Sequence, residues 1–172
     1  LSQAPLGLPA FAPPFGIAPG RPARIDRQVG HGRSRKDRSG YDSVHGRFNG
    51  EVTADGDAII VNGKRIAVTK ERDPAKLPHG EMGIDIVLEC TGFFQSDEAS
   101  RPHLAAGAKR VLISAPATGV SKTIVYGVNH HTLTKDDIVV SNASCTTNCL
   151  SPVAFVLNEV IGIEKGMMTT IH

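Results

Sequence analysis

The stretch IDIVLECTGFFQSDEASRPHLAAGAKRVLIS, Ile84 to Ser114, holds two short apolar runs on either side of a polar segment that opens like a helix. IDIVLEC, Ile84 to Cys90, is almost continuously apolar, as expected of a parallel strand buried on both faces. Ser96 with Asp97 and Glu98 reads as a helix start, because a serine oxygen can accept an orphan N–H and the acids suit the positive end of the helix dipole. Gly107 reads as its stop. KRVLIS, Lys109 to Ser114, is a second buried strand. Strand, helix and strand in this order make a βαβ unit, so the fold class is α/β with a parallel sheet.

Upstream, AIIVNGKRIAV places β-rich flanks around Asn62-Gly63, the pair that suits a tight type I′ hairpin. Downstream, TIVYGV and DIVVSN predict two more short strands. From about Ser144 the pattern turns helical, with Leu150, Val153, Ala154, Leu157 and Val160 on one face and Gly162 at the end. GMMTTIH predicts a following strand. There is no internal repeat.

The junction between DIVVSN and the helix is SNASCTTNC, Ser141 to Cys149, with two of the three cysteines. A helix start carries unpaired N–H groups and partial positive charge. A thiol there ionises more readily, and the thiolate is the nucleophile. The same N–H groups can hold an oxyanion formed when a carbonyl is attacked. Cys145, flanked by Ser144 and Thr146, therefore has the surroundings that nucleophilic catalysis needs. Cys149, one turn on, is expected to be a small buried residue with an inert thiol. A zinc site needs about four ligands, and no second ligand pair is in view; no metal is expected.

Composition limits the alternatives. Hydrophobic residues make up 40% of the 172, aromatic residues only 5%, and tryptophan is absent, so the core should be aliphatic. A net charge of +2 is too small to suggest nucleic-acid binding on its own; a basic nucleic-acid arm over residues 1–40 is the lesser alternative. No apolar run approaches the roughly 20 residues of a membrane span. Three cysteines without a disulfide framework favour a reducing, cytoplasmic setting. Residues 1–40 differ from the rest. They hold six of the eleven prolines and a local charge of +5, with no helix or strand period. Such a segment buries too little apolar surface to offset its ordering entropy, so 1–40 is read as disordered, with order beginning near Tyr41.

SNASCTTNCLSPV resembles the active-site segment of the phosphorylating glyceraldehyde-3-phosphate dehydrogenase family. The similarity continues through YDSVHGRFNGEV, ERDPAKLP, DIVLECTGFF, AGAKRVLISAPA, TIVYGVNH and GIEKGMMTTIH, from Tyr41 to His172. The resemblance implies an incomplete Rossmann-type NAD-binding domain over 41–144, its first β-turn-α unit missing, and the start of a catalytic domain over 145–172. It implies Cys145 as the nucleophile toward an aldehyde and His172 as the acid/base that activates it. Ser144, Cys145 and Thr146 match substrate and phosphate contacts. Arg72, Thr91, Gly92 and Ser114 match cofactor-contacting positions. NAD is the implied cofactor, with NADP left open because the ribose-binding position that discriminates them has no match. Glyceraldehyde 3-phosphate and inorganic phosphate are the implied reactants, and a cytoplasmic homotetramer the implied assembly.

The departures from the family lie at the ends. Residues 1–40 contain no G-x-G-x-x-G and no acidic ribose ligand, and read like a GC-rich coding region taken out of frame. The family continues well past His172. The chain alone is therefore expected to bind NAD weakly and to show little activity. Erythrose-4-phosphate dehydrogenase, a close relative, shares these motifs. A non-catalytic nucleotide-binding or interaction module is the reading from a different class; coding sequence downstream of His172 would discriminate it.

Overall fold

The computed structural model describes residues 25–29, 41, 42, 44 and 46–171. In chain order the elements are β1 (Ile25–Val29), β2 (Tyr41–Asp42), β3 (Gly46–Arg47), β4 (Val52–Asp55), β5 (Ala58–Val61), β6 (Lys64–Ala67), α1 (His79–Met82), β7 (Ile86–Cys90), α2 (Asp97–Ala105), β8 (Arg110–Ile113), β9 (Lys122–Thr123), β10 (Val139–Ser141) and α3 (Cys145–Ile161). Short 3-10 turns cover Pro74–Lys76 and His130–Thr132.

The βαβ unit forms as its sequence predicts. The Ser96 hydroxyl accepts the Ala99 N–H at 3.1 Å and starts α2. Strands β7 and β8 then pair in parallel, with Val87 opposite Val111 and Glu89 opposite Ile113. The whole sheet runs β1-β7-β8-β10-β9. Every pairing in it is parallel. Val87, Val111, Ile113 and Val139 form its buried core with Ile84 and Ala108. Burial alternates along β7 and β8: Val87 and Glu89 are enclosed while Ile86, Leu88 and Cys90 are half-buried. The expectation of burial on both faces thus holds for one face of the described sheet, the face that packs against α2.

One strand lies where none was expected. Ile25–Val29 pairs with the whole of β7, Ile25 opposite Ile86 and Val29 opposite Cys90. IDRQV contains no proline and has no local period, and its pairing supplies the backbone hydrogen bonds that composition alone does not reveal. The expectation of order beginning only near Tyr41 is corrected for these five residues. The rest of 1–40 lies outside the described residues.

The Asn62-Gly63 hairpin is present, with Val61 opposite Lys64. Both turn residues have positive φ, 48° and 77°, as a type I′ turn requires. Asn62 also accepts the Glu51 N–H on its side-chain oxygen at 2.9 Å. That bond fastens the turn to the chain entering β4, a third strand that pairs with β5.

Two predicted strands are shorter or absent. In TIVYGV only Thr123 remains in β9, because Asn129 folds the chain back. Its side-chain oxygen accepts the Val125 N–H at 2.7 Å and its amide donates to the Thr123 carbonyl at 3.0 Å. Residues 164–171 form no strand, and none of the described strands pairs with them. The predicted apolar face of α3 is largely uncovered within the described residues: Val153, Leu157 and Val160 are 55%, 45% and 74% exposed.

Gly107 marks a close approach. Its φ is 106°, and a Cβ there would lie 2.6 Å from the Gly80 Cα and 2.7 Å from the Gly80 N. The contact brings α1 against the end of α2, where the Gly80 N–H reaches the Ala106 carbonyl at 2.9 Å. Gly107→Ala combines a forbidden φ with a backbone collision and should destabilise by about 3 kcal/mol in urea denaturation. Gly56→Ala, at positive φ but in open space, should cost clearly less.

A second tie closes the loop before β10. Asp137 accepts from the Lys122 ammonium at 2.9 Å and from the Thr134 N–H and hydroxyl at 2.7 and 2.9 Å. The Lys122 hydrogen bond, with those from Thr134 and against the effect of burial, lowers the carboxyl to about 2. A depressed carboxylate stabilises the fold above its unfolded pKa, and this contribution disappears as pH falls from about 4 to about 2. Asp137→Asn should therefore cost about 1–2 kcal/mol near neutrality. Its urea midpoint should converge on that of the parent below pH about 2.

Candidate functional site

The parallel register sets three strand ends side by side. Glu89, Ile113 and Ser141 are aligned across β7, β8 and β10. The residues that follow them, Thr91-Gly92, Ser114 and Asn142 to Cys145, thus share the carboxyl edge of the sheet. That edge is where open parallel sheets bind ligands.

At the end of β7, Glu89 organises the turn. Its Oε1 accepts the Thr91 N–H at 2.7 Å and the Thr91 hydroxyl. The Thr91 Oγ1 accepts the Phe93 N–H at 3.1 Å. Gly92 follows with φ 80°, and the nearest atom to a Cβ there would be the Gln95 Nε2 at 3.8 Å. The glycine thus exposes backbone to open space, a surface that a flat or phosphorylated ligand can approach closely. Ser114 is exposed, and its N–H donates to the Glu89 carbonyl at 2.9 Å. The structure brings Thr91, Gly92 and Ser114 together. Among the described residues no hydrogen bond joins Arg72 to them: it is an exposed residue of the loop before the first 3-10 turn, and its N–H donates to the neighbouring Glu71 carboxylate at 2.8 Å.

Sequence reasoning missed what lies beneath this turn. The other Glu89 oxygen is 3.0 Å from the His103 Nε2, and the His103 Nδ1 is 3.2 Å from the His79 Nε2. Glu89 is 2% exposed and both histidines 0%. Burial pushes the Glu89 carboxyl up. The hydrogen bonds from His103 and Thr91 outweigh it and hold the group below the ordinary glutamate range. A buried carboxylate paired in this way is a rigid anchor for Thr91. The signal was available: Glu89 is the one charged residue inside an otherwise apolar strand, Ile86–Cys90.

At the end of β10 the candidate nucleophile sits as predicted. Ser144 caps α3, its hydroxyl accepting the Thr147 N–H at 3.0 Å. Cys145 is the first helical residue and is exposed. Thr146 is half-buried beside it. Cys149 is corrected. It is exposed rather than buried, on a helix whose apolar side chains the described residues leave largely uncovered. The loop after α3 instead passes along this face, and a cavity of about 500 Å³ opens between them, lined by Cys145, Thr146, Cys149, Met168, Thr170 and Ile171 among others. His172 lies outside the described residues. Among the described residues no three His, Cys, Asp or Glu side chains form a metal-holding group. No described helix is long and apolar enough to cross a membrane.

Comparison with known proteins points the same way. Residues 29–97 match the glyceraldehyde 3-phosphate dehydrogenase NAD binding domain, and 144–172 match the C-terminal domain of the same family. A glyceraldehyde-3-phosphate dehydrogenase of Xanthobacter flavus is 65% identical over 132 residues, covering 77% of this chain and 39% of the relative. That of Zymomonas mobilis is 61% identical over 132 residues, covering 76% and 39%. That of Clostridium pasteurianum is 59% identical over 132 residues, covering 77% and 40%. The chain thus spans about two fifths of the length of the curated relatives it matches. The capped Cys145, the parallel sheet beneath it and the two domain matches agree, and the chain belongs to the glyceraldehyde-3-phosphate dehydrogenase family.

Proposed function

We propose that this chain carries the nucleotide-binding elements and the reacting thiol of an NAD-dependent dehydrogenase that oxidises glyceraldehyde 3-phosphate and passes the acyl group to inorganic phosphate. The observation that supports it most is the place of Cys145: exposed, first in a capped helix, and on the same sheet edge as the Thr91 turn and Ser114.

The Cys145 Sγ attacks the aldehyde carbon. A C–S bond forms, and the carbonyl oxygen takes up negative charge. Backbone N–H groups at the start of α3, that of Cys145 among them, face the developing oxyanion. Ser144 and Thr146 flank the thiol and orient the substrate phosphate and the attacking phosphate at the same helix start. His172 takes the thiol proton and returns it. NAD held at this sheet edge would supply the hydride acceptor needed for the adduct to become a thioester. Phosphate oxygen then bonds the acyl carbon, the C–S bond breaks, and the thiolate returns.

The residues present fit part of a dinucleotide. Gly92 offers open backbone, and Glu89 fixes the Thr91 turn beside it. Arg72, in the exposed loop before the first 3-10 turn, belongs to the same cofactor reading. The sequence after β1 is Gly30-His31-Gly32, where a Rossmann turn carries its first two glycines, but Arg35 stands where the third would be. Weak NAD binding by the chain alone follows from the missing third glycine of that pattern. The domain division at 144/145, the homotetramer and the cytoplasmic location belong to the same reading.

The chain can be joined to the remaining catalytic segment of the Xanthobacter flavus relative and assayed. Reduction of NAD should require both glyceraldehyde 3-phosphate and phosphate, and should yield an acyl phosphate that hydroxylamine traps. Equal rates without phosphate would contradict the phosphorylating step, and a preference for NADP would correct the cofactor.

A further inference from the structure

We propose that Asn148 is the positioning residue of Cys145; the inference rests on the reading of Cys145 as the reacting thiol. The turn that joins β10 to α3 is strained. Ala143 is buried and has φ 59°, a conformation that a residue with a Cβ holds only under constraint. On the strand side the constraint comes from the sheet. The Asn142 N–H donates to the Ile113 carbonyl at 2.8 Å, and the Ala143 N–H to the Ser141 hydroxyl at 3.0 Å. That hydroxyl in turn donates to the Ala115 carbonyl at 2.6 Å.

On the helix side, besides the Ser144 cap and the backbone bond from the Asn148 N–H to the Ser144 carbonyl, one side chain reaches back across the turn. The Asn148 Nδ2 donates to the Asn142 carbonyl at 2.6 Å and to the Ser144 carbonyl at 2.9 Å. Its two hydrogens thus straddle Ala143 and pin the residues on either side of it. Both partners are carbonyl oxygens, so only the NH₂ end can face them; the flipped amide would set oxygen against oxygen. Asn148 is not needed to start the helix, because Ser144 already caps it through Thr147. Asparagine is also a weak helix former in its own right. What its amide adds is a fixed angle between strand and helix, and Cys145 sits at that angle, next to the pinned Ser144.

The test is alkylation of the full chain with iodoacetamide, in which the thiolate sulfur bonds to carbon as iodide leaves, followed by peptide mapping of Cys90, Cys145 and Cys149. Asn148→Ala should slow Cys145 labelling about tenfold, the equivalent of two lost neutral hydrogen bonds. Cys149, exposed on the same helix, and half-buried Cys90 should keep their parental rates. Asn148→Ser, whose hydroxyl can reach the Ser144 carbonyl, should recover part of the loss. Asn148→Asp, with acceptors only, should recover none. An unchanged Cys145 rate in Asn148→Ala would overturn the proposal. So would a common change at all three cysteines, which would mean that Asn148 serves the fold alone. The comparison is between variant and parent. It therefore reads on Asn148 even if parental Cys145 fails to outpace Cys149, a result that counts against the reacting-thiol reading itself.

Discussion

Cys145→Ser should lower aldehyde-dependent NAD reduction by the chain fused to the relative's catalytic segment at least about a thousandfold, because a hydroxyl is not ionised near neutral pH and the first bond-forming step needs a sulfur anion. The variant should fold as the parent does. Cys145 is exposed, and among the described residues it contributes no side-chain hydrogen bond to the turn that Ser144, Ser141 and Asn148 hold. Its urea midpoint should therefore stay within about 0.5 kcal/mol of the parent, as for ordinary surface positions. Cys149→Ser is the control: also exposed, but one turn into α3 and away from the helix start, it should retain most of the activity. If the two substitutions cost the same, the thiol at the helix start is not the special one.

Glu89→Ala should cost about 3–5 kcal/mol, the usual penalty for removing one partner of a buried charged pair. The substitution takes an acceptor from His103, from the Thr91 N–H and from the Thr91 hydroxyl at once. A small domain has only about 5–15 kcal/mol in all, so the variant should sit near its unfolding threshold. With m of about 1–3 kcal/mol/M, a urea midpoint shift of roughly 2 M is expected. Glu89→Gln keeps the shape and one accepting oxygen and should fall between the two. A shift in Glu89→Ala below that of Gly107→Ala would mean that the Thr91 turn is held by something other than its carboxylate.

The parts of the fold that could be read from sequence were those decided locally. The Ser96 cap, the Gly107 stop, the Asn62-Gly63 turn and the Ser144 start each rest on one residue's hydrogen bond or φ, and each stands where it was expected. What was not legible was decided by partners far along the chain. Ile25–Val29 becomes a strand because β7 offers it a backbone edge, which no pattern inside IDRQV announces. Thr123 to Val125 reads as a continuing strand until Asn129 turns it. Cys149 lies on the face of α3 that apolar spacing marks for burial, and spacing says nothing of whether a neighbour covers it. At the site, Cys145 and its flanks were visible from the small polar run at a strand-to-helix junction. Glu89, His103 and His79 meet only after α2 folds over β7, and Asn148 gains its meaning only once the Ala143 turn is seen.

Competitive alkylation of the unmodified chain tests the central claim most directly. A limiting amount of iodoacetamide near neutral pH, with peptide mapping of all three cysteines, ranks their reactivity in one sample. Cys145 and Cys149 are both exposed and one helical turn apart, so access alone does not separate them. Cys145 should label first, with Cys149 well behind it and half-buried Cys90 last. Equal labelling of Cys145 and Cys149, in a chain whose Cys90 remains protected, would contradict the assignment of Cys145 as the nucleophile.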